Sequence, residues 1–458
     1  MTIKVALVVY VLVTLACVLF QLSRDREIEL LPSLGWLLLM VVPFLVQYEY
    51  FPEPYRRVQT IGVIVVGAFI LLGDMLTSTQ KFRECDAEHL PALLMDGRTY
   101  AVIFALLAAY HLSILDKIPF LERITMDTPD EAALQWMREK TSKLLDVPDF
   151  MKYVFTWAVN IFSPLSIALL AFQKRYGWLL VTSAMALIYA LMSLAKVPVF
   201  LLVITLMVVF LRTITLHTRY RMYGFSVALM LIVAWHATEF LSTHPYSVMN
   251  YQVSDKEIGQ LQLSPKDPRT SFTRGDHLRM LPKNTPIEFS AVQKVYNYYV
   301  YRLFLGPADV SSRWYQYFPD VSGELAGFAA LTPATRRDAA QHPARRVGKW
   351  AYVDRFPERY LETAQAYASV DADAYGRWGV PGVFGAGILI LILRFASKSL
   401  LVDVPVTQVL YASALVLMAL LWPMASMQAV LVANGLAPIL FAMAVIALVL
   451  CRKRGRKG

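Results

Sequence analysis

Residues 427–450 read MQAVLVANGLAPILFAMAVIALVL, and after Cys451 comes the run Arg452-Lys453-Arg454-Gly455-Arg456-Lys457. The first stretch carries no charged side chain. It is long enough to cross a hydrocarbon layer about 30 Å thick, which takes about 20 mostly apolar residues as a helix. The second is a cationic cluster beside a helix end, the pattern that keeps a terminus in the cytoplasm. Together they predict a spanning helix whose exit side is fixed by charge.

Working outward, the same reading finds ten more segments, at about 3–22, 31–49, 59–77, 99–115, 151–172, 177–194, 197–214, 222–241, 380–396 and 404–422. The expected fold class is an all-α polytopic membrane protein with about 11 (11–12) transmembrane helices. Composition agrees. The 458 residues are 57% hydrophobic and 17% charged, against roughly 45–50% and about 25% in soluble domains. A soluble enzyme, a disordered chain and a nucleic-acid binder are thereby excluded. Part of the formal charge of +10 is the basic tail, an orientation signal before it is a polyanion site. Cys17 and Cys451 lie in or beside apolar helices and Cys85 in a polar loop, so no disulfide framework is expected. Leu15-Ala16-Cys17 is faintly like a lipoprotein cleavage site. Thr14 and the apolar run onward to Phe20 argue instead for an uncleaved helix.

Counting back from the cytoplasmic tail puts Arg394 and Lys398, then Arg212, Arg219 and Arg221, then Lys174 and Arg175 on the cytoplasmic side. The segment 242–379 and the loop 116–150 then face the other way. In the N-terminal half, eleven spans place Met1, Arg56 and Arg57 outside, against the bias, and the orientation of that half stays open. Three blocks follow: a membrane bundle over 1–241, a large non-cytoplasmic loop over 242–379, and C-terminal membrane helices over 380–458.

The polar segments carry the chemistry. Thr128-Pro129-Asp130-Glu131 is a capping box with Pro at the first helical position. It predicts an amphipathic interfacial helix near 129–146, on which Arg138 either faces a lipid-linked anion or covers the bundle. The loop 242–379 holds twelve of the chain's twenty-four tyrosines and seventeen Lys/Arg, twelve of them arginine. Guanidinium binds phosphate oxygens bidentately and stacks on rings, as lysine does not. The run Tyr296-Asn297-Tyr298-Tyr299-Val300-Tyr301-Arg302 and the run Arg313-Trp314-Tyr315-Gln316-Tyr317-Phe318 have two readings. Their rings form an interfacial belt or small core, or they line a cleft for an anionic, sugar-like ligand anchored by Arg302 and Arg313. Lys196, in a tight outer turn, either snorkels or serves a site. His111 and His236 sit near helix ends, in structural or proton-moving roles. Asp371-Ala372-Asp373 is a very weak D-x-D. No cluster has metal-ligand spacing, and no phosphate-cradling glycine loop or nucleophilic triad is present, so neither metal nor cofactor is expected.

The layout from about 148 to 400 resembles the bacterial O-antigen or polysaccharide repeat-unit polymerases (Wzy-type), a family similar in layout to the O-antigen ligases. The resemblance is carried by Pro148-Asp149-Phe150-Met151-Lys152-Tyr153 entering a helix, by the turns Lys174-Arg175 and Ser193-Leu194-Ala195-Lys196, and by the large loop. That loop ends in Tyr375-Gly376-Arg377-Trp378-Gly379-Val380-Pro381-Gly382, similar to the family's aromatic-Gly-x-x-Gly re-entry. Two departures stand: Lys196 where many relatives have arginine, and one span fewer than the usual layout. The resemblance implies a metal-independent, GT-C-like glycosyltransferase in the inner membrane. It would join undecaprenyl-diphosphate-linked oligosaccharide units at the periplasmic face, with membrane lipid and a chain-length regulator protein as partners. It further implies that Arg302, Arg313, Lys196 and Arg138 hold the diphosphate and that Trp314 and Tyr315 stack on sugars. Asp309, Glu324 or His236 would take the acceptor proton. A ligase, a lipid-linked oligosaccharide flippase and a structural or sensory protein are the alternatives.

Overall fold

In the computed structural model the described residues are 2–22, 27–51, 53–80, 92–115, 118, 121, 147–192, 305–329, 342–352 and 366–452. They are helical, with no sheet among them. The helices are α1 (Thr2–Leu22), α2 (Leu31–Trp36), α3 (Val42–Val46), α4 (Tyr55–Ser78), α5 (Gly97–Ser113), α6 (Asp149–Trp157), α7 (Ser163–Phe172), α8 (Tyr176–Met192), α9 (Gly306–Gln316), α10 (Pro343–Tyr352), α11 (Val370–Ser399), α12 (Pro405–Leu421) and α13 (Leu436–Arg452). Three stretches, Tyr55–Ser78, Phe150–Phe172 and Val370–Ser399, are helical, long and apolar enough to cross a membrane. Shorter apolar helices lie at Lys4–Val18, Leu31–Val46, Tyr176–Met192, Pro405–Leu421 and Leu436–Leu450. The spans expected at 197–214 and 222–241 and the interfacial helix near 129–146 lie outside the described residues.

The chain divides into two compact units, each assembled from separate stretches: 1–72, 222–391 and 420–427 in one, 73–221, 392–419 and 428–458 in the other. The hydropathy blocks run consecutively, whereas these units do not, because distant helices share each core.

In the first unit the core gathers around large rings. Trp36 on α2 is fully buried and donates its indole N–H to the Val63 carbonyl of α4 at 3.1 Å. Helix α9 belongs to this core, although it comes from the segment read as an outer loop. Pro307 in its first turn, Asp309 near its N-terminus and Arg313 in its last turn match the helix's missing donors and its dipole. Gln47 and Gln59 donate side-chain N–H groups to the carbonyls of Leu305 (2.8 Å) and Ala308 (3.1 Å). Trp314, Tyr315 and Phe318 pack with Ala344 and Val347 of α10 and with Ala366, Ala368 and Ala372.

Helix α11 breaks inside its length. Gly379 takes φ +66°, a left-handed conformation costly for any residue with a side chain. Pro381, two residues on, has no N–H for the carbonyl of Arg377. The freed carbonyls are not left bare: Ala326 N–H donates to Gly376 O at 2.8 Å and Gly327 N–H to Arg377 O at 3.0 Å. Residues 322–329 are thus clasped to the break. On the opposite side Gly376 lets α9 approach, since a Cβ there would lie 2.7 Å from the Trp314 ring and 2.8 Å from that of Phe318.

In the second unit, Arg394 is fully buried, not exposed as a loop residue read for topology would be. Its Nε donates to Asp74 Oδ1 at 2.6 Å and its Nη2 to Thr77 Oγ1 at 3.0 Å. Lys398, also buried, lies 5.4 Å from the Tyr411 ring centre. Single π-helical turns interrupt α6–α7 at Ala158–Phe162 and precede α13 at Ala429–Ala433. Between them Trp157 donates to Val432 O at 2.9 Å.

Two outcomes are expected. Gly376→Val should cost on the order of 1–3 kcal/mol by overpacking, read as a lower thermal unfolding midpoint in detergent; an unchanged midpoint rules out the close approach. Removing one member of a buried ion pair costs about 3–5 kcal/mol. Asp74→Ala should therefore destabilise far more than the double change Asp74→Asn with Arg394→Gln, and equal losses would show that the pair does not interact.

Candidate functional site

The polar residues of the first unit converge where α9 meets the start of α11. Three carboxylates are buried or nearly so, and each is satisfied differently. Asp309 faces Arg313 one turn on, at 3.3 Å. Asp373 faces Arg377 one turn on, at 3.0 Å, with both side chains at 7% exposure or less. Arg377 also donates to the carbonyls of Gly327 (3.1 Å) and Ala329 (2.7 Å).

Asp371 is different. It is fully buried, and its described partners are neutral: the Tyr315 hydroxyl donates to Oδ2 at 2.9 Å and the Ser369 hydroxyl to Oδ1. Backbone N–H groups at the start of α11 complete the shell. A helix N-terminus favours negative charge, which offsets part of the cost of burial. The network continues outward. Ser311 and Ser369 hydroxyls lie 2.7 Å apart, and Ser311 reaches the Pro307 carbonyl at 2.7 Å.

Tyr315 is the hinge of this nest. Its ring stacks on Tyr375 at 4.5 Å between centres. Burial first, and the Asp371 charge second, push its hydroxyl well above the usual tyrosine range, which keeps the proton on the oxygen that donates to Asp371. Space for it is made by Gly62 on α4, where a Cβ would lie 2.0 Å from the Tyr315 oxygen and 3.3 Å from Asp371 Oδ2.

Arg313, Asp309, Trp314 and Tyr315 thus lie on one buried helix. Trp314 donates its indole N–H to Ala366 O at 2.8 Å and is 2% exposed, while Tyr315 is 0% exposed. These rings are packed in the core, because α9 lies inside the unit instead of in solvent. Arg313 is also buried and held by Asp309, so it is not an open anion anchor. Glu324 is 74% exposed, 3.9 Å from Arg346, in a surface carboxylate's setting. Arg302, Lys196, Arg138 and His236 lie outside the described residues. Among the described residues, no three of His, Cys, Asp and Glu group as metal ligands would.

From sequence, Asp371 appeared only in the weak D-x-D and Arg377 only in the re-entry motif, while Ser369 and Ser311 were not singled out. A signal was present, since Asp309/Arg313 and Asp373/Arg377 repeat the same acid-to-arginine spacing of four on two helices.

Tyr315→Phe should cost about 1–3 kcal/mol, the usual effect of leaving a buried acceptor short of a donor, and Gly62→Ala should mimic it by displacing the hydroxyl. Chemical denaturation in detergent measures both, and wild-type stability in either variant contradicts the network. Comparison with known protein families, characterised proteins and solved structures gives no match for this chain.

Proposed function

We propose that the chain is a glycosyltransferase of the inner membrane that joins polyprenyl-diphosphate-linked oligosaccharide units at the periplasmic face, as a repeat-unit polymerase does. The supporting observation is the buried, neutrally solvated carboxylate of Asp371 at the polar end of an apolar helix long enough to span the bilayer. The sequence layout over 148–400 supports the same reading.

The reaction transfers a glycosyl group between lipid carriers. An acceptor hydroxyl forms a bond to the donor's anomeric carbon, the bond from that carbon to the diphosphate breaks, and the diphosphate leaves with the electron pair. The hydroxyl proton needs an acceptor. Asp309 and Asp373 are each held by an arginine one turn on, at 3.3 Å and 3.0 Å. Among the described residues the side-chain partners of Asp371 are hydroxyls, and in this reading it is the proton acceptor, with Tyr315 fixing the carboxylate by its donated hydrogen. Arg302, Lys196 and Arg138 are the proposed cations for the leaving diphosphate, whose accumulating charge fixed donors stabilise.

A flippase is the second reading, favoured by the buried Asp74–Arg394 pair within apolar helices, since intramembrane charges mark transport paths as well as structural contacts. A ligase would use the same chemistry on a different acceptor.

The test is incubation of the purified protein with lipid-linked repeat unit. Long-chain product is expected, with a drop of about 100-fold or more for Asp371→Asn, the usual weight of a general base. A loss on the order of 100–1000-fold is expected for Arg302→Ala, by analogy with removal of an oxyanion-hole donor. Unextended units from the wild type would refute the polymerase. Movement of intact units across a vesicle membrane would establish the flippase instead.

A further inference from the structure

Helix α10 presents a cationic arc at the depth where the apolar span of α11 begins. Its sequence from Pro343 is PARRVGKWAY. The His342 imidazole caps it, accepting the Ala344 N–H at 3.2 Å. Ala344, Val347 and Gly348 are buried, so the inward face is small and apolar. At about 100° per residue, Arg345, Arg346 and Lys349 share the opposite side, half-buried or exposed. Arg346 is steadied by rings, its guanidinium lying 5.7 Å from the centre of Tyr317 and 5.8 Å from that of Phe318. Its 3.9 Å approach to Glu324 is too long, and Glu324 too exposed, to neutralise three cations.

Depth is set by the clasped loop. Glu324 lies two residues before Ala326, whose N–H, with that of Gly327, holds the carbonyls of Gly376 and Arg377, so the arc lies at the level of the α11 break. Beside it, Phe328 is 70% exposed and meets Trp378 edge to face at 5.7 Å. Below the break Val380, Phe384 and Ile388, one turn apart, are 43%, 46% and 52% exposed. Such an apolar stripe has no place in water and suits acyl chains. Cations above an aromatic rim above an apolar stripe match the order of phosphate, glycerol and tails in a lipid leaflet.

We propose that this surface is a seat for an anionic phospholipid, its phosphate held by Arg345, Arg346 and Lys349 and its chains laid against Phe328, Trp378 and the α11 stripe. The seat is independent of the transferase chemistry.

The experiment is native mass spectrometry of the full chain in detergent, titrated with phosphatidylglycerol or phosphatidylcholine of matched chains. Preferential retention of phosphatidylglycerol is expected, falling about fivefold for each of Arg345→Gln and Arg346→Gln, the usual weight of one cation at a membrane surface. Lys349→Gln, which leaves the packed face untouched, should show the same step even if an arginine variant fails to fold. Phe328→Ser should weaken both lipids and leave the preference. Arg57→Gln, at a side chain 64% exposed outside this arc, should change nothing. Equal retention of both lipids overturns the seat, as does an unaltered preference in Lys349→Gln or an equal loss in Arg57→Gln. Displacement by glycerol phosphate at the same concentration would show a headgroup site without chains, and also overturns it.

Discussion

Pro381 cannot donate to the carbonyl of Arg377, and a bare carbonyl away from water costs several kcal/mol. Much of the first unit follows from the repair. Residues 322–329 supply the missing N–H groups, so that loop is fixed against the break. Arg377 is held by the same loop's carbonyls and by Asp373, which keeps the first turns of α11 in place. Asp371, in those turns, then meets the hydroxyl of Tyr315 across the narrow space that Gly62 leaves. A packing constraint at two glycines and a hydrogen-bond debt at one proline thus place a carboxylate among hydroxyl partners, with no cation beside it among the described residues.

The arrangement also separates charge by type. Acid–arginine pairs one helical turn apart, on α9 and α11, are locally neutral and can be buried at moderate cost, because each partner satisfies the other. Asp371 lacks such a partner and depends on hydroxyls and a helix end. In the transferase reading Asp309 and Asp373 are committed to their arginines, which leaves Asp371 as the proposed proton acceptor.

The helical class was legible in the sequence, because blocks of apolar residues such as 427–450 leave little else. The placement of α9 was not. Gly306–Gln316 contains Asp309, Ser311, Ser312, Arg313 and Gln316, and a hydropathy count reads such a run as solvated. It is buried because its polar groups pair with each other and with Gln47, Gln59 and Ser369, partners between 58 and 258 positions away. Long-range pairing of that kind leaves no local periodicity. For the same reason Trp314 and Tyr315 read as surface aromatics. The acid-to-arginine spacing of four on two helices was the local clue to burial.

The Asp74–Arg394 pair joins residues 320 positions apart. At roughly 5–20 residues per second of ribosomal synthesis, α4 would leave the ribosome tens of seconds before its counterion exists. An apolar helix carrying an acid in its last turns can wait near the headgroups, where the carboxylate keeps its water, and draw fully inward only once α11 arrives. The acid of this pair is thus made long before the arginine that it meets.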